Sequence, residues 1–393
     1  MPFFDPARPA YRDNPYPFLA RLRAEAPVYW SPGMRAWVLT RYADCAEVLR
    51  DGRRFTMDPA CTSGPRAEAI LAHRAKAPLG AAPTLGSTSG EAHRALRQVV
   101  NPLFAPAAVR ARREFVAEAA RSLVDALPHG APVEFMSAVA NPLPKQIMLA
   151  LMGIPEDDPA DLHTMLSLVQ VARSNPLAGQ AVTHAAAGAA GELVRYLAAA
   201  RPGTFAEGTV LGALTHQEMP PADVVSVAAH IATVGSDPAS GAIANSVAAL
   251  ASHPAAWDAL RREPGQLARA VHELLRFDSP THIAPRFAAA EAQLGGRKIR
   301  RGDSLLAVVG AANRDPHAFE RPDELELRRD ARRHLGFGQG EHICLGGPLA
   351  LVIIEAVLEA LMSRFGRIAL VAAPQWGKNV ELRIPDRMLL RFE

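Results

Sequence analysis

The spacing of apolar residues changes character several times along this chain. Over residues 15–26 they recur with the helical period, which predicts a short amphipathic helix. Val28, Tyr29, Trp30 and Trp37, Val38, Leu39 form two β-prone runs around Ser31-Pro32-Gly33, the pattern of a hairpin over 28–40. Tyr42–Arg50 returns to helix. Residues 55–90 are rich in Pro, Gly, Ser and Ala and hold a weak period, which predicts a long loop. Long loops in compact domains are more often functional than idle.

Helical periodicity dominates from about 91 to 276, with breaks at 128–132, 154–158, 173–179, 201–206 and 217–221. The strongest helix runs over 222–252, with Pro254 just beyond its end. Two short runs, 287–294 and 303–309, read as strands. Residues 313–336 are irregular and charged. A long apolar run begins at Gly346 and has the pattern of a buried helix, with Pro348 suited to its first turn. Strands return at 380–384 and 388–392. Neither a repeat nor a linker divides this order. It predicts one large, mostly α domain over 1–393, with a smaller β-rich part at about 27–60, 283–310 and 367–393.

Composition narrows the function. Apolar residues make up 49% of the 393, enough for a large core. The net charge of +3 is spread along the chain and gives no case for nucleic acid. Cys45, Cys61 and Cys344 are too few and too scattered for a disulfide framework, which fits a reducing compartment. The N-terminal residues, broken by proline and charge, read as neither signal peptide nor anchor. Nothing approaches the ~20 apolar residues of a membrane span. The expectation is a cytoplasmic protein with no membrane partner.

The chemistry turns on residues 337–346, Phe-Gly-Gln-Gly-Glu-His-Ile-Cys-Leu-Gly. Cys344 stands at or just before a helix N-terminus, where unpaired N–H groups and the positive end of the dipole favour a thiolate. Gly338 and Gly340 let the loop fold tightly around it. A thiolate held in this way suits a haem iron as axial ligand. A lone cysteine is more often a small hydrophobe; the surrounding motif decides otherwise.

That motif resembles the cytochrome P-450 family, the haem-thiolate monooxygenases, whose pattern F-G-x-G-x-H-x-C-x-G is met at Phe337, Gly338, Gly340, His342, Cys344 and Gly346. The resemblance covers nearly the whole chain. It includes Glu273-Leu274-Leu275-Arg276, then Arg286, then Ala312-Asn313-Arg314-Asp315-Pro316 and Arg321-Pro322-Asp323. It implies the cytochrome P-450 fold, with a long central helix over haem b and Cys344 as the iron ligand. It implies that Glu273 and Arg276, with a third charged group from 313–333, lock the core behind the cysteine loop. Haem propionates would be met by His93, Arg97, Arg286 and His342. In the central helix, Gly235 and Asp237 match the family, while Pro238 replaces the usual threonine.

Proline removes the bond to the Val234 carbonyl and kinks a helix. Pro238 is therefore expected to keep the oxygen groove without the threonine hydroxyl, leaving Asp237 and water to relay protons. Ser236 and Ser240 lie about 160° round the helix and are not substitutes. A plainer reading is neutral replacement, with water doing the threonine's work. His230, Thr233 and Val234 share the face of Asp237 and are expected in the pocket. So are Ile283 and Ala284, which precede Arg286. Met57, the rest of 55–90 and the break near 173–179 are expected to roof it.

The implied activity is dioxygen activation by a bacterial, soluble enzyme acting on a small organic substrate in secondary or xenobiotic metabolism. Hydroxylation, epoxidation and oxidative coupling all stay open. No nucleotide-binding G-x-G-x-x-G is present. Electrons are therefore expected from NAD(P)H through ferredoxin reductase and ferredoxin, docked near Arg94, Arg332 and Arg333 on a monomer. Alternatives are a peroxide-driven oxidase and a non-catalytic haem-binding or gas-sensing protein.

Overall fold

The computed structural model describes residues 4–154, 162–174, 180–200, 203–217 and 219–393. Of the expected breaks at 154–158, 173–179, 201–206 and 217–221, residues 155–158, 175–179, 201–202 and 218 lie outside them. The fold is organised by the 32-residue helix Pro221–Ser252, hereafter the central helix. Its sequence is largely Ala and Val, small enough for neighbours to close in on all sides, and 22 of its residues are buried. Helices Pro142–Met152, Leu162–Ser174, Gln180–Ala199 and Gly347–Arg364 pack round it. Two glycines set the approach distances. A Cβ at Gly235 would lie 2.8 Å from Met148 Sδ, and one at Gly241 would lie 2.7 Å from Ile384 Cγ1. The helix continues unbroken through Pro238.

The β-rich part is a five-stranded sheet at the edge of this core. Its order is Val28–Ser31, Ala36–Leu39, Ser304–Ala307, Ala284–Ala288 and Phe55–Thr56. The first two form the expected hairpin, with Val28 opposite Leu39. Trp37–Leu39 run parallel to Leu305–Ala307, the one parallel pairing in the sheet. Among the described residues no helix is long and apolar enough to cross a membrane.

Three expectations need correction. Residues 55–90 are not one loop: Pro65–Arg74 is a helix, with Pro65 in its first turn and only Ala67 buried. Its Ala- and Arg-rich sequence favours helix, but so little burial leaves a weak hydrophobic stripe to detect. The run 287–294 is not one strand. The first strand ends at Ala288, and Ala292–Leu294 pairs with Arg297–Ile299. Between them Gly295 and Gly296 take φ of 50° and 75°, a turn that suits glycine. Residues 380–384 form no strand, only a bridge between Leu382 and Thr281. Asn379 Oδ1 accepts the N–H groups of Glu381 and Leu382, which a ladder would otherwise use. Near the C-terminus, Leu389–Phe392 pairs with two strands the periodicity did not mark, Pro132–Glu134 and Ile368–Leu370.

Candidate functional site

The cysteine loop is held from both ends. Cys344 N–H donates to the Phe337 carbonyl (2.8 Å), closing the loop on itself. Gly338 and Gly340 adopt φ of 67° and 74°. A Cβ on Gly340 would lie 2.7 Å from the Arg50 carbonyl, so the loop is pressed against the end of helix Tyr42–Arg50. Helix Gly347–Arg364 follows, and Gly347 lies against the Phe337 ring.

Cys344 is open on one side. Burial on the others raises its thiol pKa, against the lowering pull of the Gly346 N–H, of Arg97 and of the Gly347 N–H. The helix N-terminus thus acts as expected but does not win: the protein alone favours the thiol. A metal cation on the sulfur would reverse that balance, because a coordinating thiol is deprotonated outright.

Beside the loop, one helix and one strand converge on it. His93, on helix Gly90–Phe104, is buried, and its ring lies 4.3 Å from that of His342. Arg97, one turn on, donates to the Ile343 carbonyl (2.8 Å). Arg286, on strand Ala284–Ala288, is 4% exposed and, among the described residues, donates only to the adjacent Pro285 carbonyl. The His342 pKa falls to about 3 through burial and then the nearby charges of His93, Arg286 and Arg97. Burial alone pulls Arg286 down to about 10, since no carboxylate accompanies it. His93 Nδ1 and His342 Nε2 are buried without a hydrogen bond; Glu341 Oε1 is 3.4 Å from the former, near but badly aligned.

A buried guanidinium without an anion, beside buried ring nitrogens without partners, costs several kcal/mol unless an anionic group with several acceptor atoms completes it. The residues present therefore fit a haem whose propionates lie here and whose iron lies at Cys344. Sequence reasoning missed Glu341. Its carboxylate takes the Gly90 N–H (2.7 Å) and so joins the cysteine loop to the start of the His93 helix. Its place inside the motif, at an unspecified position, gave no signal.

Behind the loop, Glu273 and Arg276 are fully buried and doubly bonded, at 2.6 and 2.8 Å. Arg276 also donates to the carbonyls of Asn313, Pro322 and Glu324. Glu273 accepts from Glu326 N–H and from Arg329, which is the third charged group. Asn313 Oδ1 in turn takes Leu335 N–H, two residues before the motif begins. The network thus connects helix Leu267–Phe277 to the approach of the cysteine loop.

The central helix opens on one stripe. Val234 is 49% exposed in an otherwise buried helix, Asp237 is exposed, and His230, Thr233 and Pro238 are partly exposed. His230, Thr233, Val234 and Asp237 are the expected positions, i, i+3, i+4 and i+7, and Pro238 adjoins them. Although Asp237 is open on the stripe, the protein crowded around it strips away part of its water and raises its carboxyl above the usual range. Ser236 and Ser240 are buried and donate to the carbonyls of Ala232 and Ser236, so both hydroxyls are committed to the helix. Gly86 lies against the His230 ring, and Ser226 donates to the Pro83 carbonyl, so residues 83–86 cover this stretch.

Other candidates fall elsewhere. Gly235 faces Met148 and has a packing role. Ile283 is 2% exposed inside the apolar cluster of Leu19, Val38 and Leu306, so it belongs to the core rather than to a pocket wall. Side chains alternate across a strand, and Ala284 is the one left partly open. Met57 is partly exposed just after strand Phe55–Thr56. Of the basic residues expected to meet a redox partner, Arg332 is paired with Asp330 (2.7 Å) and Arg333 lies over the Phe319 ring. Arg94 instead lines an open cleft of about 840 Å³ with Arg50, Arg53 and Arg97.

Comparison with known proteins gives a consistent picture. The family described as Cytochrome P450 matches residues 209–369. The putative cytochrome P450 126 of Mycobacterium tuberculosis is 30% identical over 394 residues, spanning 93% of this chain and 91% of the relative. The polyketide biosynthesis cytochrome P450 PksS of Bacillus subtilis is 29% identical over 403 residues, 97% of this chain and 96% of PksS. Among solved structures, CalO2 matches with a TM-score of 0.88 at 27% identity, over 100% of this chain and 99% of that one. The PksS structure matches with a TM-score of 0.87 at 26% identity, over the whole of both chains.

Proposed function

The chain belongs to the cytochrome P450 family, and from that premise we propose how its own residues serve a haem-thiolate monooxygenase. Cys344 holds the haem iron. Arg286, His93, Arg97 and His342 hold the propionates, and Phe337, Gly338 and Gly346 shape the loop against the ring. Bound haem supplies dioxygen activation and the oxidation of a small organic substrate. The open stripe of the central helix forms the opposite wall, with His230, Thr233 and Val234 toward the substrate.

Asp237 is the proton carrier on that wall. Its carboxyl is not hydrogen-bonded to the described protein, and its raised pKa brings it nearer the working pH, where an acid or base transfers protons best. Pro238 cannot donate a hydrogen bond, and the neighbouring serines are committed to carbonyls, so ordered water, or a group on the substrate, links Asp237 to the reacting atoms. Electrons come from NAD(P)H through a ferredoxin reductase and a ferredoxin. Their docking charges are Arg50, Arg53 and Arg94 around the open cleft, with Arg332 neutralised by Asp330. Such docking weakens as salt screens it. We place the enzyme in the cytoplasm as a monomer.

The observation that carries this reading is the buried, acid-free Arg286 beside His93 and His342. The test is turnover of the purified haem protein. Substrate is first found by shifts of the ferric spectrum against a metabolite library. Product should then require NAD(P)H, reductase and ferredoxin together, and fall as salt rises. Product formed from NAD(P)H without a redox protein would contradict the proposed electron route.

A further inference from the structure

A carboxylate carried by a segment seated beside the open stripe has no hydrogen-bond or ion-pair partner among the described residues. Residues 377–384 run back from the C-terminal strands to the core, and their backbone is fixed at Glu381. Its N–H donates to Asn379 Oδ1, and its carbonyl accepts from His282 (2.8 Å) and Ile283 (3.1 Å). Three residues on, Ile384 presses against Gly241, one turn past Asp237 on the central helix. Asn245, a further turn along, donates to the Arg383 carbonyl. The segment carrying Glu381 is therefore seated on the central helix next to the stripe.

The Glu381 side chain, by contrast, has no hydrogen bond and no ion pair within 4 Å among the described residues, although it is only partly exposed. The one charge that acts on it is Arg66, from helix Pro65–Arg74 in the segment that goes on to cover His230. Arg66 has no ion pair of its own among the described residues. Burial raises the Glu381 carboxyl, and the attraction of Arg66 does not offset it. The hydrogen-bonded backbone thus presents a part-desolvated carboxylate between the central helix's neighbour and the covering segment, and no described cation forms an ion pair with it.

We propose that Glu381 recognises the substrate, pairing with a cationic nitrogen, so that this enzyme takes basic amines whose carbon skeleton lies along Val234 and Thr233. This rests on the reading of the open stripe as the substrate wall. Charge-assisted pairing in a part-buried site favours the cation over a neutral molecule of the same shape by about tenfold or more.

The test uses ferric holoenzyme and matched ligands of increasing size. In each pair, a trimethylammonium group is compared with its tert-butyl carbon isostere. A quaternary nitrogen has no lone pair for iron, so binding reports on the protein. Dissociation constants are measured by calorimetry for the wild type, Glu381→Gln and Arg66→Ala. We expect the best-binding pair to favour the cation about tenfold, through Coulomb attraction to the carboxylate alone, since the quaternary nitrogen has no N–H to donate. We expect that preference to fade as pH is lowered and the carboxyl protonates, to vanish in Glu381→Gln, and to persist or grow in Arg66→Ala.

The proposal is overturned if no cation binds better than its isostere, or if the preference survives Glu381→Gln. It is also overturned if Arg66→Ala and Glu381→Gln weaken neutral ligands equally, because Glu381 would then serve an ion pair with Arg66. An unchanged thiolate spectrum of the reduced carbon monoxide complex in Glu381→Gln separates failure of this inference from failure of the haem-thiolate reading.

Discussion

Replacing Glu273 by glutamine removes one charge and leaves the volume almost unchanged, so the buried network can be tested with little cavity term. Glu273 accepts four hydrogen bonds: two from Arg276, one from Arg329 and one from the Glu326 N–H. A glutamine amide turns one acceptor oxygen into a donor that faces a guanidinium N–H. Arg276, with its side chain fully buried, would lose its counter-charge, and Arg329, at 9%, would keep only its longer 3.4 Å pair with Glu326. Arg276 would keep three carbonyls, which satisfy donors but do not cancel charge.

Breaking a buried pair in this way costs about 3–5 kcal/mol. The matched control is Glu263→Gln, which breaks a 2.6 Å pair with Arg328 whose side chains are 50% and 67% exposed. Exposed pairs contribute about 0.2–1 kcal/mol. Guanidinium denaturation of the haem-loaded proteins, followed by far-ultraviolet circular dichroism, should show a large fall in midpoint for Glu273→Gln and almost none for Glu263→Gln. Asn313 carries the network to Leu335 N–H, so Glu273→Gln should also lower the fraction of protein giving the thiolate spectrum. Equal midpoints for the two variants would refute the reasoning.

Three further outcomes are expected. Asp237→Asn should slow oxygen-dependent turnover far more than peroxide-driven turnover, because peroxide brings its own protons and electrons; equal losses would assign Asp237 to structure or binding. Pro238→Thr should fold with an unchanged denaturation midpoint, since threonine can bond the helix backbone itself, and should raise product formed per NAD(P)H consumed; a lowered midpoint would show that the helix is built around the proline. Burial, with nearby charges, holds His282 and His334 at about 3, against an ordinary 6.5. The unfolded chain therefore binds more protons between those values, and stability is full above about pH 6.5 and falls as pH drops toward 3. Each such histidine adds about 1.4 kcal/mol per pH unit to that slope, so denaturation midpoints from pH 7 to 5 should fall less steeply for His282→Gln than for wild type.

The helical core was legible because its helices are long and periodic. The 222–252 prediction and the helix Pro221–Ser252 differ by one residue at the start. The cysteine loop was legible because six defined positions in ten admit few other meanings. What escaped notice depended on contacts distant in sequence. Strands Pro132–Glu134 and Ile368–Leu370 are three residues each and exist because Leu389–Phe392 lies between them. Ile283 looked like a wall residue by its offset from Arg286, yet the N-terminal segment folds over it and makes it core. The lack of an acid beside Arg286, and of a paired base beside Glu381, among the described residues is a property of packing, and no local pattern announces it. The thiol of Cys344 likewise shows that a helix N-terminus can be read from sequence while the burial opposing it cannot.

The central claim is that Cys344 carries the iron, and the spectrum of the reduced carbon monoxide complex tests it most directly. Wild type, Cys45→Ser and Cys61→Ser should all show the thiolate band, since Cys45 is buried with its sulfur bonded to the Leu39 carbonyl and Cys61 lies outside the loop. Cys344→Ala should lose that band. A thiolate band that survives in Cys344→Ala, or that disappears with Cys45 or Cys61, would contradict the account.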